Sequence, residues 1–282
     1  MANQVEDRPN FRLAITDPCY FIGRRALLEE MEQKPFGVHI LLGGRRIGKT
    51  STLNAFQWSL LDPNFNKVNR AFPVLINLQV EQPKDLENLR YILIARLRES
   101  INRWQRVPMA SLREMYRSFL RQIAGGEVAV SFLQQLNIKF NIVNPDNERR
   151  LIHDDFRQAF LQTINELNQQ KFSGACFLLD GAEFITRQDW ANDAWSYFRG
   201  LKDTETSIKP FLGLLLSGYR ELKEYQQAVG SQLLNIADVK WLSPLTNLEM
   251  KDMIDCREKK ENIPLNKQVF SAVQEWSGCH PY

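Results

Sequence analysis

The run from Gly43 to Thr50 fits the pattern G-x-x-x-x-G-K-[ST]. In such a loop, successive backbone N–H groups surround phosphate oxygens, the lysine contacts the β- and γ-phosphates, and the final hydroxyl binds Mg²⁺. The sequence therefore predicts a nucleoside triphosphate site in which Lys49 binds phosphate and Thr50 binds the metal. A glycine-rich turn without a ligand is the alternative. The predicted nucleotide-binding residues of this segment are Gly43, Gly44, Arg45, Arg46, Ile47, Gly48, Lys49, Thr50 and Ser51.

A second candidate metal ligand is Asp180, which ends the apolar run 175–179. A carboxylate at the carboxyl end of a buried strand lies beside the phosphate loop in a parallel sheet, where it holds Mg²⁺ through water. Glu183 is the best candidate to polarise an attacking water molecule. A solvated glutamate at a helix start is the alternative, and Gly181 stands where many such enzymes have their catalytic glutamate.

A third candidate group follows the apolar residues 214–216. Ser217 ends this run and is predicted to sense the γ-phosphate through a hydrogen bond. Arg220 is predicted to carry positive charge toward the phosphates or toward a neighbouring subunit. A simple turn at the strand end and a surface arginine are the alternatives for these two residues.

The composition limits the classes of protein to consider. The chain has 282 residues, of which 44% are hydrophobic, and a net charge of +3, so it can bury a large core in one or two domains. The polar, acidic start is not a secretory signal, and no apolar run is long enough to span a bilayer. Scattered cysteines and histidines without ligand spacing argue against a transition-metal site. We therefore expect a cytoplasmic protein with no membrane partner.

Apolar runs and helical periodicities alternate along the chain. Strands are predicted at residues 38–42, 72–80, 175–180, 210–217 and 237–242, with helices before, between and after them. Such alternation is typical of a parallel sheet covered by helices on both faces, so the predicted fold is a three-layer α/β/α nucleotide-binding core.

Three regions are expected along the chain. Residues 1–16 are predicted to be a flexible or loosely docked arm, and residues 17–242 the core, with an insertion at about 105–148. Residues 243–282 are predicted to begin a helical lid that is incomplete. Its first helix opens with the capping box Thr246–Glu249, and its second carries Phe270, Val273 and Trp276 on one side.

The order of these motifs resembles the STAND class of signal-transduction ATPases, which are related to AAA+ proteins, and in particular its archaeal-ATPase and AAA-like branch. Residues 21–24 resemble the h-h-G-R box of that class, and 179–183 its Walker B segment. Residues 216–220 resemble the sensor-1 strand, 242–246 the junction between core and lid, and 278–282 the lid motif G-G-H-P-Y, with Cys279 replacing the second glycine. The resemblance spans about residues 20–282, without the insertion.

The resemblance implies further site residues and a mode of action. Phe21, Ile22, Gly23 and Arg24 would line the adenine side of the pocket, and Pro281 would contact the nucleotide from the lid. Proteins of this class bind ATP or ADP with Mg²⁺ and hydrolyse ATP slowly. They switch from a closed ADP form to an open ATP form that oligomerises, with effector or sensor domains on the same chain. The expected partners are therefore other domains or subunits of a signalling assembly and further copies of this chain.

Two alternatives remain at the sequence level. One is an AAA+-like ATPase acting on nucleic acid, such as a replication or transposition regulator, because residues 90–121 are basic. The arginines of that stretch are Arg90, Arg96, Arg98, Arg103, Arg106, Arg113, Arg117 and Arg121. A solvated face is the expected explanation for them, and a surface that binds an acidic partner domain is a further alternative. The other alternative is a scaffold that binds nucleotide without hydrolysing it.

Overall fold

The computed structural model describes residues 14–15, 20–61, 69–106, 150–230, 232–261 and 267–281. At its centre is a sheet of five parallel strands in the order β2-β3-β4-β1-β5. The strands are β1 (Val38–Leu42), β2 (Ala71–Asn77), β3 (Gly174–Asp180), β4 (Leu212–Gly218) and β5 (Ala237–Trp241). Within these ranges no helix is long and apolar enough to cross a membrane.

The helices surround this sheet and continue beyond it. They are α1 (Arg25–Gln33), α2 (Lys49–Leu61), α3 (Leu78–Glu81), α4 (Leu86–Gln105), α5 (His153–Gln169), α6 (Glu183–Thr186), α7 (Ala191–Asp203), α8 (Arg220–Ala228), α9 (Asn247–Glu261) and α10 (Lys267–Ser277). Two short 3-10 helices occupy Lys209–Phe211 and Gln232–Asn235.

The alternation of side chains along β1 divides the core into two layers. Ile40 and Leu42 belong to the larger cluster, which includes residues of α4, α5 and α7, whereas Leu41 belongs to the cluster formed with α1 and α2. Successive residues of a strand point to opposite faces, so helices cover both sides of the sheet. The predicted three-layer α/β/α architecture is confirmed.

One predicted strand was too long at its carboxyl end. The sequence predicts a strand at 72–80, but β2 ends at Asn77, and residues 78–81 form α3. The Asn77 side chain accepts hydrogen bonds from the N–H groups of Gln79 (3.0 Å) and Val80 (3.3 Å). This N-cap starts a helix where the apolar residues alone favour a continued strand. The strand predicted from residue 210 likewise begins at Leu212, after a 3-10 turn.

The two helices after the sheet form a small cluster of their own around Leu245, Met250 and Ile254. The predicted capping box is present, since Thr246 N–H donates to Glu249 and Glu249 N–H donates to the Thr246 hydroxyl. On α10, Phe270 packs against this cluster, but Trp276 is 89% exposed. The division into core and lid stays a prediction, and the predicted insertion falls almost wholly outside the described residues.

Candidate functional site

The candidate site lies at the carboxyl edge of the sheet, where β1, β3 and β4 end. Because β4 lies between β1 and β3, Ser217 is placed between the loop after β1 and Asp180 at the end of β3. Three segments that stand far apart in the sequence therefore meet at one edge. This is the position at which open parallel sheets bind ligands.

The loop between β1 and α2 contains two glycines that face open space. Gly48 has a φ of +92°, and a Cβ atom added to Gly44 or Gly48 would meet nothing within 4 Å. The backbone of the loop is therefore open to a ligand on this side. Gly43 is packed instead, because a Cβ there would lie 2.6 Å from Ile47 Cγ2.

The Lys49 ammonium lies within this loop. It donates hydrogen bonds to the carbonyl oxygens of Gly43 (2.9 Å) and Gly44 (2.7 Å), and it lies 4.0 Å from the centroid of the Tyr219 ring. Burial lowers the pKa of Lys49, while the nearby carboxylates of Glu183 and Asp180 oppose that shift. The ammonium is thus held by weak neutral acceptors and an aromatic face, next to the open backbone of the loop.

The Asp180 carboxylate joins the loop to β4. Its Oδ2 accepts a hydrogen bond from the Thr50 hydroxyl at 2.7 Å, and its Oδ1 accepts one from the Ser217 hydroxyl at 3.0 Å. Hydroxyl and carboxylate oxygens are the ligands that Mg²⁺ prefers. Thr50 and Asp180 would hold this ion, whereas Ser217 is fully buried behind the carboxylate and orients it. Within the described residues, no cluster of three His, Cys, Asp or Glu side chains forms a metal site of another kind.

Glu183 is buried beside Asp180 and is not the solvated glutamate of the alternative interpretation. Its residue is 2% exposed, its Oε1 accepts a hydrogen bond from Gln79 Nε2 at 2.9 Å, and its Oε2 has no partner among the described residues. Burial raises the pKa of Glu183, and the negative charge of Asp180 adds to the shift. A buried carboxylate with one unsatisfied oxygen and a raised pKa is typical of a general base.

The backbone conformation after Asp180 explains why a glycine occupies position 181. Gly181 has a φ of +70°, and a Cβ atom there would lie 2.9 Å from Gln79 Cγ. A residue with a side chain would be strained at this φ, so the turn disfavours a glutamate at position 181. The turn instead delivers Glu183, at the start of α6, to the neighbourhood of the loop.

These groups line a cavity of about 220 Å³. Lys49, Thr50, Asp180 and Glu183 contribute to its wall, as do three residues that sequence reasoning missed: Asn77, Gln79 and Tyr219. The sequence predicts that Asn77 and Gln79 lie inside a strand. For Tyr219, the sequence does offer a clue to its place at the site, because this residue follows Ser217 by two positions.

Part of the predicted arm also reaches this cavity. Ala14 contributes to its wall, and the backbone of Ile15 is held by α2. Ile15 N–H donates to the Ser51 hydroxyl at 2.9 Å, and Asn54 Nδ2 donates to the Ile15 carbonyl at 2.8 Å. Ser51, predicted to bind nucleotide, therefore also binds the chain that precedes the core.

Other predicted site residues lie outside the cavity. Phe21 is buried in the cluster with α1 and α2, and Arg24 donates a hydrogen bond to the Ile47 carbonyl of the loop. The Arg220 side chain is 78% exposed and pairs with Glu224 at 2.6 Å, so in this structure its charge is not directed at the loop. Ile22, Gly23 and Pro281 are half-buried and do not line the cavity.

Several arginines of the basic stretch 90–121 are paired with carboxylates or lie on an aromatic ring, in the part that the structure describes. Arg96 pairs with Glu81 (2.7 Å) and Glu99 (2.5 Å), and Arg103 also pairs with Glu99. Arg90 lies 4.2 Å from the centroid of the Tyr197 ring. Arg98 and Arg106 are exposed, and Arg113, Arg117 and Arg121 lie outside the described residues.

Comparison with solved structures identifies a similar fold in the Walker-type ATPase PABY2304 of Pyrococcus abyssi. The TM-score is 0.58 at 18% sequence identity, and the match covers 95% of this chain and 67% of that one. The chain has the P-loop ATPase fold. This result agrees with the parallel sheet and the position of the loop between β1 and α2.

Two more distant matches have TM-scores below 0.5. The ORC1 protein of Aeropyrum pernix, solved in complex with DNA, gives 0.46 at 14% identity and covers 85% of this chain and 50% of its own. Cdc6p from Pyrobaculum aerophilum gives 0.45 at 15% identity, covering 88% and 54%. This chain thus spans about half the length of these two proteins. No family model and no curated protein matches the chain.

Proposed function

We propose that this protein binds ATP or ADP with Mg²⁺ and hydrolyses ATP slowly. The observation that carries the proposal is the Asp180 carboxylate, held between the Thr50 and Ser217 hydroxyls at the open face of the loop that contains Lys49. The P-loop ATPase fold supports it further.

Each group has a role in this reaction. The loop N–H groups and Lys49 bind the β- and γ-phosphates, and Thr50 and Asp180 hold the metal ion. Bound by these two residues, Mg²⁺ would supply positive charge that offsets the charge developing on the phosphates. Glu183 orients a water molecule and accepts its proton as the water oxygen bonds to the γ-phosphorus and the bond from that phosphorus to the bridging oxygen breaks, releasing ADP. The Gln79 amide holds Glu183 through Oε1. Tyr219 keeps the Lys49 ammonium near the loop.

The decisive test is nucleotide binding by the purified chain. A fluorescent ATP analogue titrated with and without Mg²⁺ gives the affinity, and Lys49→Ala should weaken it by at least tenfold, because one ionic contact with phosphate is lost. Lys84→Ala, which removes an exposed lysine away from the cavity, is the matched control. Equal affinity of the wild type and Lys49→Ala would contradict the proposed site.

We infer that the nucleotide acts as a switch of the STAND type, in which ATP favours an open form that assembles with other copies or domains. The exposed Trp276 on α10 supports this inference, because another domain or another copy of the chain could cover this side chain in one of the two forms. Size-exclusion chromatography in ADP and in ATP tests this, with Lys49→Ala as control. Identical monomeric profiles in all samples would argue against the switch while leaving nucleotide binding intact. A DNA-binding assay at low salt separates it from the nucleic-acid alternative.

A further inference from the structure

Gly23 and Arg24 bring the start of α1 into contact with α9, a helix far away in the sequence. Arg24 N–H donates to Glu249 Oε1 at 2.5 Å. The approach depends on Gly23, because a Cβ atom there would lie 2.9 Å from the same oxygen, and because Gly23 has a φ of +84°. A glycine with this conformation and this neighbour is explained by the contact that it permits.

The Arg24 side chain makes a second connection. Its Nη2 atom donates to the carbonyl of Ile47 in the phosphate loop at 3.0 Å and to the carbonyl of Ser243 at 2.9 Å. Ser243 lies between β5 and α9, at the predicted junction of core and lid. One guanidinium therefore joins the loop to the segment that leads into the C-terminal helices.

Glu249 completes the connection on the other side. Its Oε2 accepts hydrogen bonds from Thr246 N–H (2.8 Å) and from the Thr246 hydroxyl (3.0 Å), which fixes the first turn of α9. Although burial opposes it, the N–H groups of Thr246 and Arg24 lower the pKa of Glu249, so it stays ionised. The carboxylate that starts α9 is thus the one that holds the Arg24 backbone.

Packing reinforces these hydrogen bonds. The Ile47 side chain, the Phe21 ring and Leu242 belong to one buried cluster. Leu242 Cβ lies 3.2 Å from the position of a Cβ on Gly43. A movement of the loop at Ile47 therefore displaces both the hydrogen bond to Arg24 and the residue that precedes the junction.

We propose that Arg24 and Glu249 are positioning residues that couple the conformation of the phosphate loop to the position of α9. The inference rests on the proposed nucleotide binding and deepens it. Phosphates that draw the N–H groups of the loop toward them reorient the adjoining peptide at Ile47, and the Arg24 guanidinium carries that change to Ser243 and α9. By reciprocity, release of α9 weakens nucleotide binding, since coupling between two sites acts in both directions.

Hydrogen exchange of the α9 amides, measured without nucleotide, with ADP and with ATP, tests the coupling. In the wild type, nucleotide should change the exchange of α9. Arg24→Met keeps the backbone N–H for Glu249 but removes both side-chain bonds. It should lose the nucleotide-dependent change in α9 and bind nucleotide about 5- to 50-fold more weakly. Arg25→Met, which removes an exposed arginine whose ion pair in the described part of the chain is with Glu29, is the matched control.

A second pair of variants separates coupling from helix capping. Thr246→Val removes the hydroxyl of the capping box but leaves Glu249 available to Arg24, so α9 frays in all states yet still responds to nucleotide. Glu249→Ala removes the contact with the Arg24 backbone as well as the contacts with Thr246. In this variant, nucleotide should no longer change the hydrogen exchange of α9. If circular dichroism shows Arg24→Met to be unfolded, Glu249→Ala provides the test.

The outcomes distinguish the two proposals. If the wild type binds nucleotide but the hydrogen exchange of α9 does not change, the proposed coupling is overturned and the proposed nucleotide binding is not. The coupling is also overturned if nucleotide changes the exchange of α9 in Arg24→Met as much as in the wild type. A wild type that binds no nucleotide removes the proposed function, and the coupling with it.

Discussion

The Thr50 hydroxyl donates a 2.7 Å hydrogen bond to Asp180 Oδ2, across 130 positions of sequence. The partner oxygen of the same carboxylate is held by Ser217 at 3.0 Å. Both oxygens of Asp180 therefore accept hydrogen bonds from hydroxyl groups, one at the start of α2 and one near the end of β4. This arrangement fixes the direction of the carboxylate before any ligand arrives, which reduces the ordering required when a metal ion binds.

Replacing Asp180 with asparagine tests the proposed metal site. The amide keeps the size of the side chain but removes the charge that Mg²⁺ requires. We expect Asp180→Asn to lower nucleotide affinity about tenfold or more in the presence of Mg²⁺ and much less in its absence. Titrations with and without the ion measure this, with the exposed Asp189→Asn as control. Equal losses under both conditions would place Asp180 outside the metal site.

Glu183→Gln tests the proposed general base. The substitution preserves the shape of a buried side chain but removes its capacity to accept a proton. The hydrolysis rate should fall by roughly 10²- to 10⁴-fold while nucleotide affinity changes little. Single-turnover hydrolysis and equilibrium binding provide the two measurements. Slow or absent turnover in the wild type, unchanged in Glu183→Gln, would favour the non-hydrolysing scaffold.

The pH dependence of hydrolysis follows from the burial of Glu183, which raises the pKa of this carboxyl group from its ordinary value. A general base acts only when ionised, so the rate should fall as pH decreases through this raised pKa. The Gln79 amide stabilises the ionised form, and Gln79→Leu should move the acid limb to higher pH. Rates measured from about pH 5 to 9 reveal both effects. An acid limb that Gln79→Leu leaves in place would contradict this role for Gln79.

Lys202 gives a prediction about stability at the opposite edge of the sheet. Its ammonium is buried and donates to the carbonyls of Phe36 (2.6 Å), Lys209 (3.0 Å) and Leu212 (2.5 Å). Lys202→Met leaves these carbonyls without their donor and should reduce the free energy of unfolding by about 2–4 kcal/mol. Denaturant unfolding measures the loss, with the exposed Lys171→Met as control.

Burial also lowers the pKa of Lys202 from 10.5 to about 8. Between these two values the unfolded chain binds a proton that the folded chain does not, so this group makes stability rise with pH across that window. Lys202→Met removes the contribution. The stability difference between wild type and variant should therefore be larger near the top of the window than below pH 8. A difference that is constant with pH would show that Lys202 stays charged in the fold.

The sequence predicted the parts of the site whose signals are local. The loop after β1 has a fixed spacing, and Asp180 and Ser217 each end an uninterrupted apolar run that forms a buried strand. Gln79 could not be found in this way, because Leu78 and Val80 continue the apolar pattern of β2 and only the Asn77 cap turns the chain into a helix. The partners of Arg24 could not be predicted from the sequence either, because Glu249 lies 225 positions away and folding brings the two residues together.

The strand order has a consequence for how the site comes to exist. In the sheet, β1 lies between β4 and β5, so Val38 pairs with Leu214 and Ala237. During synthesis the phosphate loop leaves the ribosome long before either neighbour of its strand, and a fragment that stopped before residue 212 would contain the loop without the strands that support it. Such long-range pairing folds slowly. The most recognisable segment of the sequence is therefore among the last to acquire its native surroundings.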